Sequence, residues 1–292
     1  MENELIEIIT HLVFQLAIIL LAAKLAGEVC QRYLKIPPVL GELVAGIIIG
    51  PHLLGGTHLG PVGPLFEVAE HLEDPLAVVP RELYAIAQVG SVVLLFFAGL
   101  ETDLRQFLRY VGPASIVAAG GVIVPFVLGA AATVAFGFAE GFGSPEALFM
   151  GAVMTATSVG ITARVLGDLR QMGSPEGVTI LGAAVVDDVL GILVLTIVVG
   201  IAATGHISIG EVGVVAAKAV GFWLALTGLG IAVARHISRV IMGFQSDGAM
   251  VALSLFLAFL AAGLAETAGL AMIIGAYSIG LALSGTQLAR RI

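Results

Sequence analysis

Residues 177–204 read GVTILGAAVVDDVLGILVLTIVVGIAAT. Apart from Asp187 and Asp188, every residue in this stretch is apolar, small or a hydroxyl, and the run is long enough to cross the hydrocarbon core of a bilayer as helix, which takes ~20 residues. One carboxylate at the bilayer centre costs at least ~2.5–3.5 kcal/mol on insertion scales, so two adjacent ones must face a protein-lined or watery cavity. The pair is therefore the first candidate for function.

The rest of the chain has the same character. It is 59% hydrophobic and 12% charged, with a mean hydropathy of +1.07, a composition that predicts an integral membrane protein rather than a water-soluble domain. Nine apolar runs, at about 11–34, 38–54, 83–100, 112–137, 147–166, 177–203, 212–235, 248–266 and 270–287, are separated by short charged clusters and predict an all-α fold of nine transmembrane helices. The first run opens with Glu2, Glu4 and Glu7 and lacks the basic start of a signal peptide, so it is read as a retained helix. With the N-terminus outside and the C-terminus inside, the inner loops collect Arg32, Lys35, Arg105, Arg109, Arg164, Arg170, Arg235, Arg239, Arg290 and Arg291, ten of the thirteen Lys and Arg. The net charge of −8 is a sum over two unlike faces, and neither a basic stripe nor an aromatic platform points to nucleic acid. Cys30, the only cysteine, excludes an intrachain disulfide.

The longest connection runs from Gly55 to Arg81 on the outer side. Its piece Leu65–Leu72, LFEVAEHL, has the spacing of a short interfacial helix. His52, His58 and His71 nearby lack Cys or carboxylate partners at metal-ligand spacing and read as solvated.

In the fifth span, Met154–Thr162 reads MTATSVGIT, crowding Thr155, Thr157, Ser158, Gly160 and Thr162 where the bilayer centre should be. A single membrane hydroxyl commonly bonds back to its own helix. Five weak helix formers together, followed on the next span by a carboxylate pair, predict a broken helix whose freed carbonyls and hydroxyls line a cation site. A second pattern points the same way. The second span, LGELVAGIIIG, and the ninth, IGAYSIGLALSG, carry Gly41/Gly46 and Gly275/Gly280 at the same separation, and on the predicted topology they run in opposite directions, as in an inverted repeat.

Val185–Gly191 (VVDDVLG), Ala156–Leu166 (ATSVGITARVL), Leu94–Glu101 (LLFFAGLE) and Pro38–Pro51 (PVLGELVAGIIIGP) together resemble the monovalent cation/proton antiporters of the NapA and KefC type, over essentially the whole chain. The resemblance implies an inverted-repeat fold with broken helices, a dimerisation panel and a mobile core. Within the single transmembrane domain 1–292 it implies that 112–204 is the first half of the ion-binding core and that 1–111 and 205–292 are panel and linker helices. Carried over by position, Asp188 is the carboxylate that binds the transported monovalent cation and the proton, Asp187 its charged neighbour, and Thr157 and Ser158 polar groups at the break. The resemblance also implies about four more helices than are present, including the second half of the core and the basic residue that pairs with the first aspartate, so the chain is expected to be a fragment. Asp187 is left without an obvious partner; Lys24 is expected to pair with Glu28 at four-residue spacing. No soluble nucleotide-binding domain follows the last helix, so ligand gating of the KefC kind is not expected.

Neighbours on a helix are about 100° apart, so Asp187 and Asp188 cannot share one partner face: one can meet the ion route and the other the core. Cation and proton then compete for the same oxygens, and that competition is exchange. The expected function is secondary transport by alternating access, exchanging Na+ or K+ for H+ in the cell membrane, with no cofactor and no enzymatic activity. The small residues Ala22, Ala23, Ala26 and Gly27 on the first span, together with the resemblance, lead to an expected homodimer. The alternatives are a cation channel, which would want pore loops or charged rings, a membrane enzyme, which would want a nucleophile and base or metal ligands at depth, and a transport-inactive fragment or subunit of such an antiporter.

Overall fold

The computed structural model describes residues 2–51, 53–57, 64–66, 80–204, 209–244 and 246–291. They fold into ten α-helices: α1 Glu2–Val29, α2 Pro38–Ile49, α3 Arg81–Glu101, α4 Leu104–Ala135, α5 Pro145–Thr155, α6 Val159–Asp168, α7 Pro175–Thr204, α8 Ile209–Met242, α9 Asp247–Thr267 and α10 Met272–Leu283. Because α5 and α6 are the two halves of one span, these are the nine apolar runs of the sequence. Seven segments among the described residues are long and apolar enough to cross a membrane, whereas α2 and α10 are shorter apolar helices. At 12 residues each, they rise only ~18 Å. Their runs continue beyond the helices, but Gly50–Pro51 stops the first and Ser284–Gly285 the second. The helix expected over Leu65–Leu72 lies, apart from Leu65 and Phe66, outside the described residues.

The chain divides into two compact units, Met1–Gly90 and Ser91–Ile292. In the first, α1 ends in a widened π turn, Cys30–Leu34, closed by Lys35 in the left-handed region at φ 56°. Pro37 and Pro38 then start α2, with proline at the first helical position where its missing N–H costs nothing. The hairpin is tight because Gly41 has no side chain: a Cβ there would strike the Ala26 carbonyl and the Cys30 sulfur. Lys24 Nζ reaches across the hairpin to Glu42 Oε1 at 2.9 Å, which corrects the expected pairing with Glu28; the partner comes from the next helix rather than the next turn. At the far end of α1, the buried Gln15 donates from Nε2 to the Leu65 carbonyl at 2.7 Å, and His11 Nε2 lies 3.1 Å from the same oxygen. Leu65 and Phe66 are thereby buried against this unit.

In the second unit α4 lies along both α5 and α7, while α10 lies along α8 and α9. Helix starts follow their capping residues: Asp103 accepts from the backbone of Arg105 and Gln106 at the head of α4, and Ser144, followed by Pro145, accepts from Ala147 N at the head of α5. Small residues set the closest approaches, as they must where lipid removes the hydrophobic drive between helices. A Cβ on Gly280 would strike the Phe96 carbonyl, and one on Gly99 the Tyr277 carbonyl, so α3 and α10 meet backbone to backbone. The α9–α10 hairpin repeats the α1–α2 hairpin: a Cβ on Gly275 would meet Ala261 and Ala265, four residues apart on α9, just as one on Gly41 would meet Ala26 of α1 and, four residues on, Cys30 of the π turn.

Candidate cation-binding site

The break expected in the fifth span falls at Ala156–Ser158. Ala156 is extended (φ −65°, ψ 124°) at the end of α5, and Ser158 (φ −83°, ψ 99°) caps α6, its Oγ accepting from Ile161 N at 3.3 Å. The crowded hydroxyls divide between two roles. Thr155 donates to the Ala152 carbonyl at 2.8 Å and Thr162 to the Ser158 carbonyl at 3.0 Å, so these two bond back within their own segment. Thr157 makes only a long bond of 3.4 Å to the Thr155 carbonyl, and its side chain lies beside the Asp187 carboxylate. The structure thus brings Thr157 to Asp187, while Ser158 sits at the break with its oxygen engaged as a cap.

Asp187 and Asp188 occupy the middle of α7. Asp187 is 6% exposed and shares its face with Ala183 and Leu190, which pack with Ala114 and Ala118 of α4. Asp188 is half-buried and lies one turn from Ala184 and Ile192, on the face that meets α6 and α8 through the larger hydrophobic cluster. Asp187 Oδ1 and Asp188 Oδ2 are both buried without a hydrogen-bond partner. Buried carboxylate oxygens are normally satisfied, since an unpaired polar group in an apolar setting costs several kcal/mol. Two such oxygens on adjacent residues, with Thr157 at the helix break beside Asp187, are hard oxygen donors of the kind that a small cation or a proton takes.

Among the described residues, no three His, Cys, Asp or Glu side chains cluster as they would around a resident metal ion. On α6, Arg164 Nε pairs with Asp168 Oδ2 at 3.4 Å. The sequence reading did not single out this pair, although its four-residue spacing was visible. It also missed Phe107, Trp223 and Tyr277, which gather in the cluster beside α7; single aromatics inside apolar runs carry no signal of their own.

Comparison with known proteins agrees with this architecture. The family described as "Sodium/hydrogen exchanger, transmembrane" matches residues 17–292. The high-affinity Na+/H+ antiporter NhaS3 of Synechocystis sp. is 35% identical over 96% of this chain and 63% of its own length. The Na+/H+-K+ antiporter GerN of Bacillus cereus is 35% identical over 94% of the chain and 64% of its own length. The K+/H+ antiporter subunit KhtU of Bacillus subtilis is 27% identical over 97% of the chain and 65% of its own length. The chain thus spans just under two thirds of the length of these relatives. With the family match running from the first span to the last residue, and the broken span, the mid-helix aspartates and the repeated hairpin all in place, the chain is a multi-pass membrane protein that belongs to the sodium/hydrogen exchanger transmembrane family.

Proposed function

We propose that this protein exchanges a monovalent cation, Na+ or K+, for protons across the cell membrane by alternating access. Asp188 is the carboxylate that binds cation and proton in turn, Asp187 its tuning neighbour, and Thr157 and Ser158 the polar groups at the break. The observation that carries this reading is the pair of unpartnered buried oxygens, Asp187 Oδ1 and Asp188 Oδ2, at the middle of a membrane helix. A cation site and a proton site made of the same oxygens cannot be filled together, so loading one expels the other, and the exchange needs no further chemistry. The antiporter names of the relatives support the same reading. In this account 112–204 forms the first half of the ion-binding core, 1–111 and 205–292 form panel and linker, the N-terminus lies outside and the C-terminus inside, and two copies associate.

The test is proton movement in everted vesicles carrying the full-length protein. Adding Na+ or K+ should collapse a preformed pH gradient, and Asp188→Asn should abolish that response while the protein still reaches the membrane. Unchanged exchange in Asp188→Asn would remove Asp188 from the site.

A further inference from the structure

Thr157 reaches Asp187 from a stretch with little support of its own. Between the end of α5 and the cap of α6, the Ala156 amide donates to the Val153 carbonyl at 3.4 Å and the Thr157 hydroxyl to the Thr155 carbonyl at 3.4 Å, both longer than an ordinary hydrogen bond. The place of Thr157 is therefore inherited from the helix before it, and α5 sits on α4 without slack. A Cβ built on Gly151 of α5 would lie 2.9 Å from the Phe126 carbonyl oxygen and 3.0 Å from the Phe126 ring. One built on Gly129 of α4 would lie 2.8 Å from Met154 Cγ and 3.1 Å from the Met150 carbonyl oxygen. Each helix thus turns a glycine to the other's backbone, and a carbonyl oxygen cannot swing aside as a side chain can. Met154 directly precedes Thr155, the last residue of α5, and stands three positions ahead of Thr157. The same α4 also holds the other partner: Ala114 and Ala118 pack with Ala183, Val186 and Leu190 of α7, on either side of Asp187 in the sequence.

We propose that the reciprocal contact of Gly129 and Gly151 seats the last turn of α5 on α4 and so sets the approach of Thr157 to Asp187. Both glycines are positioning residues: they act on cation binding through Thr157, and neither touches an ion. The proposal rests on the antiporter reading, in which Thr157 lines the cation site. Glycines that merely let helices pack are common in membrane proteins. These two differ in that their contact lies within two turns of the break, and in that Gly120 and Gly121, on the same helix, have open space where a Cβ would go. Because α5 lies along α7 as well as α4, lifting its last turn off α4 moves Thr157 with respect to the helix that carries both aspartates.

Exchange by the full-length protein in everted vesicles, with the concentration of Na+ or K+ varied, reads the seat. Gly151→Ala should raise the half-saturating cation concentration about three- to tenfold, part of what losing the Thr157 hydroxyl itself should do, while the maximal rate changes less. Gly129→Ala should shift it the same way by less, because the Met154 side chain can turn; it carries the test if Gly151→Ala does not reach the membrane. Neither glycine substitution should move half-saturation further when added to Thr157→Val. Gly120→Ala, in open space on the same helix, should leave it unchanged. So should Gly41→Ala, which meets an equally hard contact, but in the α1–α2 hairpin. Half-saturation unchanged in both Gly129→Ala and Gly151→Ala, effects that add in full to Thr157→Val, or an equal effect of Gly120→Ala or Gly41→Ala, would overturn the positioning role. Asp188→Asn judges the underlying reading separately. If exchange survives it, the site assignment fails; if exchange is lost there while the seat variants behave like the parent, only the seat fails.

Discussion

At the scale of single residues, the asymmetry between neighbours is the informative feature. Asp187 is buried against the small residues of α4 with Thr157 at its side, whereas Asp188 is half-buried and turned ~100° around α7 toward α6 and α8. Asp187→Asn should therefore leave cation-dependent proton movement detectable but change the charge moved per cycle, measured as current from proteoliposomes on a solid support. A loss as complete as that of Asp188→Asn would show the two roles to be one. Thr157→Val removes a hydroxyl beside a charged group, worth ~1.5–3 kcal/mol, and should raise the half-saturating cation concentration at least about tenfold with little change in melting temperature. The aspartates and the crowded hydroxyls were legible in the sequence because polar groups stand out in an apolar run. Which hydroxyl serves which partner was not legible, since back-bonding, capping and site lining draw on the same residue types and differ only in rotamer and backbone angle. Lys24 teaches the same lesson: four-residue spacing offered Glu28, but the fold supplied Glu42 from across a hairpin, and sequence distance does not measure that.

At the scale of elements, the break at Ala156–Ser158 and the repeated hairpin shape the account. The break followed from a density of weak helix formers that no continuous helix would favour. The hairpins followed from paired glycines, but the reason those glycines matter appears only in three dimensions, where Gly41 and Gly275 each face a helix backbone while Gly46 has open space around it. That contrast yields a prediction within one helix. Gly41→Ala should lower the melting temperature of the purified full-length protein by roughly 2–12 °C, since overpacking costs ~1–3 kcal/mol and each kcal/mol is worth ~2–4 °C at this size. Gly46→Ala should not lower it. Equal effects, read by intrinsic fluorescence in detergent, would mean that the α1–α2 hairpin is not packed as described. The shortness of α2 and α10 was hidden in the sequence, because apolar residues continue past both helix ends and hydropathy does not register where hydrogen bonding stops.

At the scale of the whole molecule, nine apolar runs and a bias of basic residues to one side carry the fold and its proposed orientation. Reporter fusions to the N-terminus and to the inter-helical turns should place residues 136–144 outside and 169–174 inside; the reverse pattern would overturn the proposed orientation. The homodimer is best tested through Ala23, because Gly27 is buried by Pro38 and Glu42 within its own hairpin and is not available to a second copy. A cysteine at Ala23 should cross-link two full-length chains in native membranes. The central claim is that cation and proton compete for the oxygens of Asp188, and calorimetry of Na+ or K+ binding to the purified full-length protein in buffers of different ionisation enthalpy tests it most directly. The account predicts that cation binding releases protons, seen as a heat that scales with the buffer, and that Asp188→Asn loses both the binding and the release. Binding whose heat is the same in every buffer, or that persists in Asp188→Asn, would contradict it.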